Sequence, residues 1–379
     1  MGIKDIVREN CLYKNFIRPI RAKWKERALA KLSDEEYFIK RHKKVFGYVP
    51  DFKNPQTYNE KIIHRILFDR SPIYTALADK LKARMYIATL LKECDNANSC
   101  WWGGEQPYSL KQIDSNILGI YKETNPQDSL QSNPTHRTTQ IRNRTYLDSI
   151  LSPQSPLFQS IDLLTDTLFA TNTCPYLPKL YGIYKSIDEI DFSQLPQSFV
   201  LKTNHDCGGV VIVPDKDVFL ADSKILTQST QKLTEHLKIN YYTMYREWHY
   251  KDIEPRIFAE ELLGEDLHDF RFHCFGGVPQ FIQVANTTHT RNTLFDTQWN
   301  VLDITYLNPP SEIPPAKPES LRDMCAIAKC LSTPFKYVRV DLYCIQNRIF
   351  AGELTFTPNG GAARFEPYRY DRIFGEMWQ

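Results

Sequence analysis

Along residues 337–345 the apolar Val338, Val340, Leu342 and Cys344 alternate with Arg339, Asp341 and Tyr343. That two-residue period belongs to a half-buried strand. A polar break at Gln346-Asn347-Arg348 precedes a second run from Ile349 to Phe356, so the stretch predicts a β-hairpin. With the turn centred on Asn347, Asp341 falls opposite Glu353, and Arg339 opposite Thr355. Directly paired residues have Cβ atoms about 4.5–5.5 Å apart, and like charges so placed are destabilising. The two carboxylates call for a neutralising partner. A hard divalent cation with oxygen ligands is one candidate; Arg339, pairing as on many solvated sheet faces, is the other.

Upstream, the pattern predicts a second hairpin, Phe199–Thr203 and Val210–Val213, joined by Asn204 to Gly209. Its adjacent glycines, Gly208 and Gly209, let backbone N–H groups approach an anion, and Lys202 adds a point charge suited to phosphate. The phosphate-loop pattern G-x-x-x-x-G-K-[ST] is absent. His205 and Asp206 sit at the tip as polar groups within reach of a substrate. Arg256 to Leu263 reads as an apolar strand running into Glu260 and Glu261, and Phe270–Phe275 and Gln280–Val284 read as further strands. A strand, an acidic linker and a hairpin suit a nucleotide cleft, although a solvated strand end would look the same. Helical spacing predicts single helices over 74–91, after a break at Ser71-Pro72, over 220–237 and over 319–331. Leu157, Ile161, Leu164 and Leu168 predict one amphipathic helix opened by Ser155-Pro156.

Composition narrows the classes. Of 379 residues, 47 are Lys or Arg and 45 are Asp or Glu, a net charge of +2 that gives no case for nucleic-acid binding. Nine cysteines without a C-x-x-C pair suggest neither a zinc ribbon nor a disulfide framework, and fit a reducing compartment. No apolar run reaches the length of a membrane span, and the first residues lack a signal-peptide core, so the expectation is a cytoplasmic protein. The first 45 residues hold thirteen basic against six acidic side chains among apolar positions at near-helical spacing. Such a segment either packs on its own domain or lies at the inner membrane surface. From about 95 to 173 Gln, Asn, Ser, Thr and Pro dominate, the mark of an insertion. There Trp101-Trp102 reads either as a sugar-facing aromatic loop or as a local core.

The order of parts is a glycine-tipped hairpin with a lysine, an apolar strand ending in Glu-Glu, then R-V-D followed by G-E-L-T-F-T-P. It resembles the ATP-grasp superfamily. The phrases NPQTYNEKI, LPQSFVLKTNHDCGG, REWHYKDIEPRIFAEELL, DFRFHCF and ELTFTPNGG are similar to the TupA-like ATP-grasp proteins of surface-polysaccharide biosynthesis, over most of 50–94 and 174–379. The resemblance implies an α+β, ATP-grasp fold in which two subdomains grip ATP and Mg2+. Its parts would be a basic helical N-terminal region (1–94), the insertion (95–173), a small lid (174–257) and a large subdomain with the metal site (258–379).

Residue by residue, the resemblance gives Lys202 and the Gly208-Gly209 loop to the phosphates. Glu260 would face the adenine amino group, beside Glu261, with Leu262 offering backbone to the base. His268 or Asp269 would meet the ribose. Asp341 and Glu353 match the metal ligands, and Arg271 and Arg339 would stabilise the transferred phosphoryl group. His205, Asn359, Trp101 and Trp102 are the substrate candidates. Thr355 stands where many relatives place a metal-binding asparagine, with Asn359 nearby as the alternative. The implied activity is a carboxylate–amine ligation through an acyl phosphate. It would join a sugar acid, or a capsular or cell-wall polysaccharide precursor, to an amine. A sugar kinase-like phosphotransferase and a non-catalytic carbohydrate-binding protein are the alternatives.

Overall fold

Residues 31–96, 151–264, 267–286 and 290–379 are described by a computed structural model, and the chain divides into two units, 1–54 and 55–379. In the first, Ser33 and Glu36 form a reciprocal capping box that starts α1 (Asp34–Phe46), and Gly47, in the left-handed region at φ 89°, ends it. The His42 ring packs against Phe46, Tyr48 and Phe52. Most of the basic N-terminal segment, residues 1–30, lies outside the described residues.

The second unit opens with another capping box, Thr57 with Glu60, heading α2 (Tyr58–Phe68). The single helix expected over 74–91 is instead two, α3 (Pro72–Ala78) and α4 (Lys80–Asn96), parted at an extended Asp79. Asp79 Oδ1 accepts the Leu81 N–H at 2.9 Å, so the break is an aspartate satisfying an orphan donor of a new helix. The expected helix over 157–168 is likewise corrected. Its residues form short 3-10 turns, Pro156–Phe158 and Ile161–Leu163, before α5 (Thr165–Ala170), because Gln159 and Ser160 are extended. Leu157, Ile161, Leu164 and Leu168 are nonetheless all buried in the main core. The apolar spacing therefore reported burial correctly and continuity wrongly.

A four-stranded antiparallel sheet comes next, with β1 (Leu180–Tyr184), β2 (Phe199–Thr203), β3 (Val210–Val213) and β4 (Ile257–Glu260) in the order β1-β4-β2-β3. Between β3 and β4 the helix expected over 220–237 is split into α6 (Lys216–Ala221) and α7 (Ser223–Leu237) by Asp222, which accepts the N–H groups of Lys224 and Ile225 at 2.9 and 3.0 Å. One face of this sheet, with Phe199, Leu201, Val211, Val213, Ile257 and Ala259, packs around Leu233 of α7. Alternation sends Val200, Lys202, Phe258 and Glu260 to the other face.

The larger sheet has five antiparallel strands in the order β10-β9-β5-β6-β7: β5 (Asp269–Phe275), β6 (Val278–Ala285), β7 (Asn292–Phe295), β9 (Tyr337–Ile345) and β10 (Arg348–Thr355). Strand β8 (Thr305–Tyr306) pairs elsewhere with Phe365–Glu366. Phe270, Phe272, Val338, Val340 and Leu342 enter the main core, shared with α4 and with α8 (Leu321–Ser332). The β9–β10 turn is two residues, Gln346 and Asn347, both at positive φ (48° and 64°), so it is centred half a residue before the expected position. The pairing Asp341↔Glu353 and Arg339↔Thr355 forms all the same, because the register shifts between Ala351 and Glu353. The extra residue is Gly352, whose added Cβ would lie 2.7 Å from the Tyr343 ring. Before the bulge Ile349 and Ala351 face the core; after it Leu354 and Phe356 do, so the bulge turns Glu353 and Thr355 outward.

Two positions yield tests. Gly361 sits at φ +69°, and an added Cβ would lie 2.7 Å from the Asn59 carbonyl of α2 and 2.6 Å from Ile63. Gly361→Ala should lower unfolding free energy by about 2–3 kcal/mol in urea titrations; a near-neutral result would mean that α2 and this loop separate at little cost. Asp79 is 2% exposed, and burial pushes its carboxyl up to about 6, its hydrogen bond from Asn204 acting the other way. Between the unfolded value of 3.8 and that of the folded chain, the folded state keeps a proton that the unfolded chain has lost. Stability from this group therefore falls as pH rises through that window, by up to about 1.4 kcal/mol per unit. Asp79→Asn, which keeps an accepting oxygen but does not titrate, should remove this component. Parallel wild-type and variant stability curves from pH 4 to 6 would refute the raised value.

Candidate functional site

The polar face of the larger sheet is an array of alternating charge. Strand pairing sets Arg271 beside Asp341 and His273 beside Arg339. Arg339 Nε donates to Asp341 Oδ1 at 2.7 Å, and its Nη2 donates to Asp341 Oδ2 at 2.5 Å, to Glu353 Oε1 at 3.0 Å and to Thr355 Oγ1 at 3.0 Å. Arg271 Nη2 lies 2.6 Å from Asp269 Oδ2 and its Nε 4.0 Å from Asp341. Three carboxylates thus share two guanidinium groups. His273 adds no charge: burial, with Arg339 next to it, holds the ring well below its ordinary range. Burial raises the Asp341 carboxyl against the pull of Arg339, with Asp269 and Glu353 adding to the rise. For Glu353 burial acts upward too, yet Arg339 and Lys80 outweigh it and hold the carboxyl at about 2.

The arginine pairing weighed for these carboxylates is therefore present. The donor set of Asp341, Glu353 and Thr355 is all oxygen and lies on one hairpin, which fits Mg2+, an ion held by one or two carboxylates while substrate phosphates and water supply the rest. Among the described residues no group of three or more His, Cys, Asp and Glu side chains is arranged to hold a metal. Thr355 Oγ1 lies 2.9 Å from Glu353 Oε1, whereas Asn359 Nδ2 donates to the Tyr306 hydroxyl at 3.0 Å. Thr355 shares the carboxylate cluster.

On the inward face of the smaller sheet, Lys202 Nζ lies 2.5 Å from Glu260 Oε1, and Arg84 Nη1 lies 3.3 Å from Glu260 Oε2. Arg84 is 4% exposed, and its Nε has no hydrogen-bond partner. Helical spacing predicts a helix here without singling out its two cations. The signal was available: Arg84 interrupts an apolar helix face, and Lys80 follows the capping aspartate. Lys80 donates from Nζ to the carbonyl oxygens of Thr203, at 3.2 Å, and Asp206, and from its backbone N–H to Asn204 O at 3.1 Å. The start of α4 is thereby bound to the glycine loop.

That loop is more tightly held than a solvated tip. His205 is buried, and its Nε2 meets the carbonyls of His236 and Ile239 at 3.2 and 3.1 Å, so it faces the end of α7 instead of a substrate. Cys207 and Gly208 are the exposed residues of the tip. Among the described residues, the backbone N–H groups of His205, Asp206, Cys207 and Gly208 make no hydrogen bond, as anion-binding amides would require. Cys207 also lies within electrostatic reach of Glu353 and Arg339.

Of the other predicted residues, Glu261 is tied to Lys179, its backbone N–H donating at 2.8 Å and its carboxylate accepting at 3.1 Å. Leu262 follows in a partly exposed linker. His268 is exposed, while Asp269 is buried with Oδ1 lacking a hydrogen-bond partner. Trp101 and Trp102 lie outside the described residues. The structure thus groups Lys202 with Glu260 on the small sheet, and Asp269, Arg271, Arg339, Asp341 and Glu353 with one another on the large one.

Comparison with known proteins sets this geometry in context. Comparison with curated proteins returns no match. Among solved structures, the chain is similar to a D-alanine–D-alanine ligase from Bacillus anthracis complexed with ATP (14% identity, TM-score 0.28, covering 52% of this chain and 61% of that one). It is also similar to an L-amino acid ligase from Bacillus licheniformis (13%, 0.31, 51% and 42%) and to the D-cycloserine synthetase DcsG (12%, 0.30, 65% and 81%). The chain spans less than two thirds of the length of the first two. The family model of the TupA-like ATP-grasp proteins matches residues 174–379, which hold both sheets, the glycine loop and the charged hairpin. The chain belongs to the TupA-like ATP-grasp family.

Proposed function

We propose that this chain is an ADP-forming carboxylate–amine ligase working through an acyl phosphate. The observation that carries the reading is the Arg271–Arg339–Asp341–Glu353 array of the large sheet, supported by the cation-paired Glu260 of the small sheet and the exposed glycine-loop tip. Lys202 and Arg84 are the phosphate-binding cations, and Glu260, now paired with both, faces the adenine amino group. The linker at Leu262 offers its backbone to the base. Asp269, with a buried oxygen lacking a hydrogen-bond partner, is the ribose partner in preference to the exposed His268. Asp341 and Glu353 would hold Mg2+, which when bound neutralises charge between the phosphates.

Arg271 and Arg339 stabilise the transferred phosphoryl group, since preorganised cations do most of the work in such transfers. A substrate carboxylate oxygen bonds to the γ-phosphorus as the bond to ADP breaks. The amine nitrogen then bonds to the acyl carbon, phosphate leaves with the C–O electron pair, and the surplus protons of nitrogen pass to solvent. Family membership supports a sugar acid or polysaccharide precursor as the carboxylate. The cytoplasm is the proposed location, with the basic N-terminal segment at the inner membrane surface. Among the described residues no helix is long and apolar enough to cross a membrane.

Millimolar Mg-ATP should raise the melting temperature by mass action; no shift would favour a non-catalytic scaffold. Asp341→Asn and Glu353→Gln should each reduce turnover about 100-fold or more, as when a group stabilising transition-state charge is lost. Mass spectrometry of products from sugar acids and amines with ATP should show an amide and free phosphate. A stable phosphorylated sugar in their place would identify a kinase.

A further inference from the structure

An acidic residue is out of place in a loop that meets phosphate, and the way this one is restrained has a consequence for nucleotide binding. Asp206 lies two residues before Gly208, yet its side chain is only 1% exposed and is turned away from the tip. One carboxylate oxygen accepts from the Thr203 hydroxyl, and the other accepts from His236 Nδ1 on α7. The same threonine hydroxyl is 3.3 Å from the Gly209 carbonyl, whose oxygen also accepts the Thr203 N–H at 2.8 Å. Gly209 packs so closely on this pair that an added Cβ would lie 1.8 Å from Thr203 Oγ1 and 3.1 Å from Asp206 Oδ1. Gly208, at φ +98°, has the His236 ring as its near neighbour, 3.5 Å from where a Cβ would stand. Both glycines are thus shaped around one buried contact.

We infer that Asp206 and His236 are positioning residues of the nucleotide site, forming a latch that sets the glycine loop for the phosphates. This rests on the nucleotide reading above and adds the residues that control it. With the latch closed, the Asp206 carboxylate is matched by His236 and Thr203, and the free backbone N–H groups of the tip remain the loop's face toward an anion. With the latch open, a carboxylate swings free beside the phosphate path, where like charge repels, and the loop loses its shape. The latch acts on the phosphate end of the nucleotide alone. The adenosine end belongs to Glu260, Leu262 and Asp269, and among the described residues the side-chain partners of Glu260 and Asp269 are Arg84, Lys202 and Arg271 instead of the latch pair.

Calorimetric titration of the full chain with Mg-ATP and with adenosine tests the inference. His236→Ala should weaken Mg-ATP binding about tenfold, the scale of one lost charge-assisted hydrogen bond, and leave adenosine affinity unchanged. His236→Asn, whose side-chain amide can donate near the position of Nδ1, should recover most of the Mg-ATP affinity. Equal losses for ATP and adenosine, or no rescue by asparagine, would show a role in folding only and overturn the latch. Unchanged Mg-ATP affinity in the alanine variant would overturn it as well. If His236→Ala does not fold, Thr203→Val, which keeps the Asp206 carboxylate but removes the hydroxyl that holds one of its oxygens, provides the same comparison of the two ligands, with a phosphate-specific loss expected. Failure of the wild-type chain to bind Mg-ATP would instead strike at the underlying functional reading, and so is distinguishable from failure of the latch.

Discussion

Arg339 is the cation on which the polar face of the larger sheet depends. It reaches both carboxylates of the hairpin, and Asp269 is close enough to be felt there as well. Removing one member of a buried ion pair leaves an uncompensated charge that costs several kcal/mol. The face therefore holds together as a network, and no member of it is an independent feature.

The second organising element is the start of α4. Asp79 accepts from Asn204 Nδ2 at 2.9 Å while capping its own helix. Lys80 ties Thr203 and Asp206, and Arg84, one turn on, reaches Glu260. One helical turn thus touches both the loop and the inner face of the small sheet, while the apolar side of the helix lies in the main core with the larger sheet. The glycine loop is consequently fixed to a helix of the body as well as to its own hairpin.

Much of this was legible in the sequence because it followed from period and chemistry. Alternation placed β5 and β9, short apolar runs about a glycine turn placed β2 and β3, and the pairing of Asp341 with Glu353 came from hairpin register. Helix ends were less legible. Apolar spacing runs through Asp79 and Asp222 without a break, and only the capping chemistry of aspartate stops the helix there. Gln159 and Ser160 interrupt a buried segment through extended backbone, without a side-chain cap from Ser160. The cations of α4 were missed because a buried arginine in a helical pattern looks like a surface residue until its partner, Glu260, is brought 3.3 Å away from 176 positions along the chain. His205 was placed at a substrate-facing tip because loop residues are usually solvated; its carbonyl partners at the end of α7 are visible only in three dimensions.

The Gly352 bulge has a meaning beyond its geometry. Which side of the sheet Glu353 occupies is decided by a count of backbone units, and that count includes one residue with no side chain. The two carboxylates could both be retained and still be separated by the thickness of the sheet if that unit were lost. The chemical identity of the site is therefore stored in two places: in the acidic residues themselves, and in a silent spacer that sets the parity of the strand. Of the two, the spacer carries no charge, yet it determines whether the hairpin can present a paired set of oxygens at all.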